Sequence, residues 1–169
     1  MLELAVLTFF PGLLIIAALG DLVTYRIPNW LSVALIVLFG ATAVGAGLDW
    51  MVVGAHAALA LLLLFVGMGL FALRLLGGGD AKLLAATGLW MGWAALPAYL
   101  IWVTVTGGLL AAMVLTFRKI PMSEGFVAPK WVSRLHDTTE GIPYGIAIAS
   151  GALIALPSTI WFEKISSPF

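Results

Sequence analysis

Apolar residues in this chain come in long runs, not in alternation. Leu4–Leu22, Leu31–Leu48, Met51–Leu73, Leu83–Leu96, Pro97–Phe117 and Ile142–Phe162 are each almost free of charge. About 20 consecutive apolar residues cross a bilayer as a helix, whereas barrel strands alternate with a period of two. The pattern predicts an all-α polytopic membrane protein of about six transmembrane helices. The fourth run is short, and Trp90, Trp93 and Pro97 predict a turn near a membrane interface, where Trp is enriched. Five spans, with a merged or re-entrant fourth element, is the alternative.

Composition narrows the class further. Of 169 residues, 63% are apolar and 9% charged, against about a quarter charged in soluble domains. Eight basic residues are matched by eight acidic ones, so no nucleic-acid partner is expected. The absence of Cys excludes disulfides, zinc–thiolate sites and Fe–S clusters. No cofactor or metal is expected; His56 reads as a packed histidine, and His136, Asp137 and Glu140 read as solvated loop residues.

Lys and Arg accumulate on the cytoplasmic side of membrane proteins. With six spans, Arg26, Arg74, Lys82, Arg118, Lys119, Lys130 and Arg134 share one face and only Lys164 lies on the other. This predicts a multi-pass protein of the cytoplasmic (inner) membrane with both termini outside. Glu3 stands where a signal peptide would carry basic residues, so the first run reads as an uncleaved span. The whole of 1–169 reads as one integral-membrane domain with a long cytoplasmic loop at about 118–141, mostly solvated and carrying Glu124 among its acids.

Ionisable groups at membrane depth are costly, so each is a functional candidate. Glu3, Asp49 and Glu163 fall at outer ends or loops, and Glu124, Asp137 and Glu140 fall in the long loop. Asp21, closing the first run, and Asp80, opening the fourth, remain. Both sit at the predicted cytoplasmic ends of their helices. Each has an ordinary explanation: Asp80 as a helix N-cap, Asp21 as a partner of Arg26. A cap does not call for three preceding glycines, however, and Gly77, Gly78 and Gly79 let backbone pass close to a neighbour or an extended peptide. Two carboxylates held together share a proton, so one can activate a water while the other protonates or polarises a carbonyl.

Gly77-Gly78-Gly79-Asp80 resembles the GxGD motif of intramembrane aspartyl peptidases. Asp21 followed by Arg26-Ile27-Pro28-Asn29 resembles the first-aspartate segment of the type IV prepilin peptidases, and Ile142-Pro143-Tyr144-Gly145 is similar to that family's proline-tyrosine-glycine segment. The resemblance implies a membrane aspartyl endopeptidase with Asp21 and Asp80 catalytic. Gly77, Gly79, Lys82, Arg26, Pro28, Asn29, Pro143 and Gly145 are implied as motif or supporting residues. Prepilins with a short basic leader are the implied substrates, cleaved at the cytoplasmic face. Larger members carry a cytoplasmic Cys tetrad associated with methylation; without Cys, this chain resembles the short Tad/Flp-pilus CpaA/TadV-like type. Short archaeal preflagellin peptidases share the two motifs and remain an alternative branch.

Lys82 and Arg26 also read as ordinary interfacial cations, and Pro28 and Asn29 as the start of the second helix. Gly88 with Gly92, Gly141 with Gly145, and Gly107 with Gly108 are expected to pack helices closely, within the monomer or in a homodimer. The competing function is a small proton- or cation-coupled transporter using the same two aspartates. A non-catalytic assembly subunit is a third reading, in which the aspartates are caps.

Overall fold

The computed structural model describes residues 2–121 and 128–166, and Glu124 lies outside them. Seven helices are used below: α1 (Leu2–Thr24, with a π-helical stretch at Ala5–Phe9), α2 (Asn29–Gly45), α3 (Trp50–Ala72), α4 (Gly78–Phe117), α5 (Lys130–His136), α6 (Gly145–Ala155) and α7 (Ile160–Ser166). Among the described residues there is no strand, as the unbroken apolar runs require. Three helices among the described residues are long and apolar enough to cross a membrane: α1, α3 and α4. A fourth is obtained if Gly145–Ser158 (α6 with its 3-10 extension) and α7, which meet at 45° across Thr159, are counted as one span. Helix α2 is apolar but only 17 residues long.

The predicted fourth and fifth runs form the single helical element α4, broken at Gly92 and not at Pro97. Gly92 has φ 67° and ψ 176°, a conformation open essentially to glycine alone. The last carbonyls of a helical segment lose their intrahelical partners, and side chains from elsewhere meet them here. His56 Nδ1 donates to Leu89 O at 2.7 Å, and Trp161 Nε1 donates to Trp90 O at 2.8 Å. This assigns the packed role expected for His56. Its ring lies 2.5–3.2 Å from where a Cβ on Gly92 would stand. Trp90, expected at an interface, is instead fully buried and donates to Leu35 O at 2.9 Å. It stacks on Phe10 and meets Trp161. Trp93 keeps an exposed ring and donates to Ala55 O.

Helix α4 is the axis of the bundle, with α3 and α6 packed along it and α2 resting on its first half. Gly67 lets α3 approach Ala81, Gly88 makes room for Leu63, and Gly107 for Tyr144 and Ala147. Gly108 and Gly141 face open space, so they do not pack helices within the monomer. The exterior is apolar: Val37, Phe65 and Leu109 are each more than 60% exposed. Such a surface is stable against lipid and not against water.

Candidate active site

The two aspartates arrive from different helices at one end of the bundle. Asp21 lies in the last turn of α1, where the chain turns sharply because Tyr25 adopts a left-handed conformation (φ 54°) and donates its N–H to Asp21 O at 2.8 Å. Asp80 lies in the first turn of α4, whose N-cap is Gly77. Asp80 is therefore not the cap of its helix. Both residues are buried, and both line the same two adjoining cavities, of about 500 and 640 Å³.

Two glycines let backbone reach the carboxylates, and a third lets it reach Ile27 between them. A Cβ on Gly145 would stand 2.8 Å from Asp21 Oδ2 and 2.8 Å from Ile27 Cδ1. One on Gly77 would stand 2.7 Å from Asp80 Oδ2, and one on Gly79 3.2 Å from Ile27 Cβ. Without that bulk, the Gly145 N–H donates to Asp21 Oδ2 at 2.8 Å. Gly145 is the first residue of α6, so a carboxylate from α1 satisfies one of that helix's free amides. Asp21 thus takes this amide, and among the described residues it forms no ion pair with Arg26. Asp80 Oδ1, in contrast, is buried with no hydrogen-bond partner among the described residues. A buried oxygen left so in a cavity marks where a water or a ligand atom belongs.

Ile27 was not singled out by sequence, yet it is the peg of the site. Buried to 9% exposure, it fills the space between Gly79 and Gly145 and so couples the α1–α2 turn to both aspartate-bearing corners. Its position inside the Arg-Ile-Pro-Asn stretch was the available signal. Pro28 is the N-cap residue of α2 and Asn29 its first residue. Lys82 Nζ donates to Asn29 Oδ1 at 2.9 Å, which ties α4 to the start of α2. Arg26 lines the smaller cavity, and Pro143 is buried just ahead of α6.

The described part of the long connection after α4 is mostly exposed, as expected, yet hydrogen bonds tie it to the bundle. Arg118 donates through Nε to Leu135 O and through Nη2 to Glu140 O and Gly141 O, each at 2.9 Å. His136 Nε2 donates to Ile120 O at 2.8 Å, and Arg134 reaches Thr24 O at the end of α1. These bonds bring Glu140, Gly141 and Ile142 to the rim of the larger cavity. Burial raises the Tyr25 phenol above the usual tyrosine range, against the pull of the nearby Arg118 guanidinium. The phenol oxygen is buried, with no hydrogen-bond partner among the described residues. Asp137 is fully exposed, and the Thr139 amide and hydroxyl that it accepts hold it below the usual carboxylate range.

Residues 8–112 match the family described as "Type IV leader peptidase family". The matched stretch holds both aspartates and the glycine run, and stops short of Ile142–Gly145. Two curated relatives are the prepilin leader peptidase/N-methyltransferases of Aeromonas hydrophila and of Aeromonas salmonicida (strain A449). Each is 31% identical over 91 residues, 54% of this chain and 25% of the relative. The similarity thus spans a quarter of the length of those relatives. No solved structure matches the chain.

Proposed function

Because the chain belongs to the type IV leader peptidase family, we propose that it is a membrane aspartyl endopeptidase that cleaves the leader from type IV prepilins of the Tad/Flp kind. The observation that carries this reading is the meeting of Asp21 and Asp80 on shared cavities, with Asp80 Oδ1 buried and without a partner among the described residues. A water between the two carboxylates loses a proton to one of them as its oxygen attacks the scissile carbonyl carbon. The other carboxyl gives its proton to the departing amide nitrogen as the C–N bond breaks. The Gly145 amide holds Asp21 in place through that cycle. The backbone at 77–79 lines the cavity beside Asp80 that would take an extended peptide.

The reaction belongs at the cytoplasmic face of the inner membrane, on prepilins with a short basic leader. In this reading the bundle has six spans, with both termini outside. The two halves of α4 are then the fourth and fifth spans, and α2 is a short one. The transporter alternative asks for ionisable groups along a path through the bilayer. Here both acids lie at one end of the bundle, which favours the peptidase. Co-expression with a prepilin, read as a mobility shift, tests it. Asp21→Asn and Asp80→Asn should each leave the protein folded in the membrane and abolish the shift. Full processing by either variant overturns the dyad, and aspartate-dependent ion flux in vesicles would favour the transporter.

A further inference from the structure

Two helices of the bundle end in the same backbone motif with different residues at its left-handed position. At the end of α2, Leu48 N–H bonds Ala43 O and Gly47 N–H bonds Val44 O, with Gly47 at φ 61°. At the end of α3, Leu75 N–H bonds Leu70 O and Arg74 N–H bonds Phe71 O, with Arg74 at φ 59°. Glycine is the residue that this motif favours, because a Cβ is strained there. Gly47 lies far from the aspartates. Arg74 lies on the cavity that holds them, together with Phe71, Leu75, Tyr144 and Glu140. Among the described residues its guanidinium makes no hydrogen bond and no ion pair, and the residue is exposed. A strained, side-chain-bearing residue, unpaired at the mouth of a site, is retained at the expense of local stability.

We infer that Arg74 is a substrate-binding residue, whose guanidinium holds main-chain carbonyl oxygens of the peptide that enters through this mouth. The inference rests on the peptidase reading above. Charge decides between the oxygens available. Asp21, Asp80 and Glu140 line the same cavity and the aspartate pair shares one proton, so an acidic side chain would meet two negative charges, whereas peptide carbonyls carry no net charge. The fork of donors on Arg suits oxygens presented in a row along an extended backbone. The apolar walls at Phe71, Leu75 and Tyr144 then take the flanking side chains.

The test is steady-state cleavage of a type IV prepilin reconstituted with the full chain in vesicles, alongside thermal melting of each variant. Arg74→Gly removes both the side chain and the strain. It should melt at or above the wild-type temperature while KM rises about tenfold, the loss of a charge-assisted hydrogen bond, with kcat nearly unchanged. Arg74→Lys keeps the charge but not the fork, and should move KM in the same direction. A wild-type KM for Arg74→Gly overturns the inference, as does a lower melting temperature that accompanies the loss. An effect confined to substrates with a carboxylate beside the scissile bond overturns the choice of carbonyls, and one that needs anionic lipid points to headgroups instead. Cleavage that persists in Asp21→Asn is a different failure, that of the peptidase reading.

Discussion

Gly145→Ala isolates the contact on which the position of Asp21 depends. In a helix an Ala for Gly exchange ordinarily stabilises by up to about 1 kcal/mol, so propensity alone predicts a sturdier protein. The added methyl, however, would stand 2.8 Å from Asp21 Oδ2, 2.8 Å from Ile27 Cδ1 and 3.0 Å from Asp21 Cβ. Comfortable carbon contacts begin near 3.5 Å, so Asp21 and the start of α6 must part by about half an ångström to one ångström. Overpacking of this kind costs about 1–3 kcal/mol. Stretching the Gly145 N–H bond to the carboxylate adds to that, because hydrogen bonds to charged groups are worth roughly 1.5–3 kcal/mol. The clash outweighs the propensity gain, and the net expectation is a loss of about 1–3 kcal/mol. The effect on rate is larger in proportion, since a displacement of about 1 Å in a catalytic group costs roughly a hundredfold. The assay is prepilin cleavage in vesicles with thermal melting in parallel. Gly141→Ala serves as the control, because a Cβ there meets nothing within 4 Å. If Gly145→Ala cleaves within twofold of wild type, Asp21 is not positioned in the way described.

The remaining expectations are simpler. Gly92→Ala should lower the melting temperature clearly, since both the left-handed backbone and the His56 ring exclude a methyl. His56→Leu should cost about 1–3 kcal/mol by leaving the buried Leu89 carbonyl without its donor, again read by thermal melting and with little change in cleavage chemistry. Breaking the exposed Lys82–Asn29 hydrogen bond with Lys82→Met should cost under about 1 kcal/mol. Cleavage should fall by no more than a few-fold, and a total loss would place Lys82 in the chemistry. Arg118→Ala should release residues 130–141, seen as faster limited proteolysis there, because one guanidinium holds Leu135, Glu140 and Gly141.

Much of the candidate site was legible in the chain alone. With so few carboxylates in so much apolar sequence, sorting them by depth isolates Asp21 and Asp80, and the glycines before Asp80 announce a close approach. Less legible were contacts between residues far apart in sequence. His56 reads as a packed histidine from one sequence position, but its partner, a carbonyl freed at Gly92, depends on where α4 breaks. The sequence expects a turn within Trp90–Pro97 and divides the two runs at Pro97, whereas the break falls at Gly92, inside that stretch. Proline marks a helix weakness from its own chemistry, whereas Gly92 breaks the helix because His56 and Trp161 are there to meet the freed carbonyls. Ile27 and Arg118 were overlooked for the same reason. An isoleucine and an arginine look ordinary until three segments converge on them.

By itself the sequence determined that the chain is helical and apolar on its outside, and which two acids lack an ordinary explanation. Those properties follow from local composition and from the cost of placing charge in lipid, which need no neighbour to be read. Only the tertiary structure decided that Asp21 meets the Gly145 amide while Asp80 Oδ1 has no partner among the described residues, that Ile27 fills the space between two glycines, and that Arg74 stands on the same cavity as the aspartates. Each of these is a distance between side chains and backbone brought together by packing. Van der Waals contact and hydrogen bonding act over a few ångströms, and the separations that matter, 21 from 145 and 27 from 79, are set by how the helices cross.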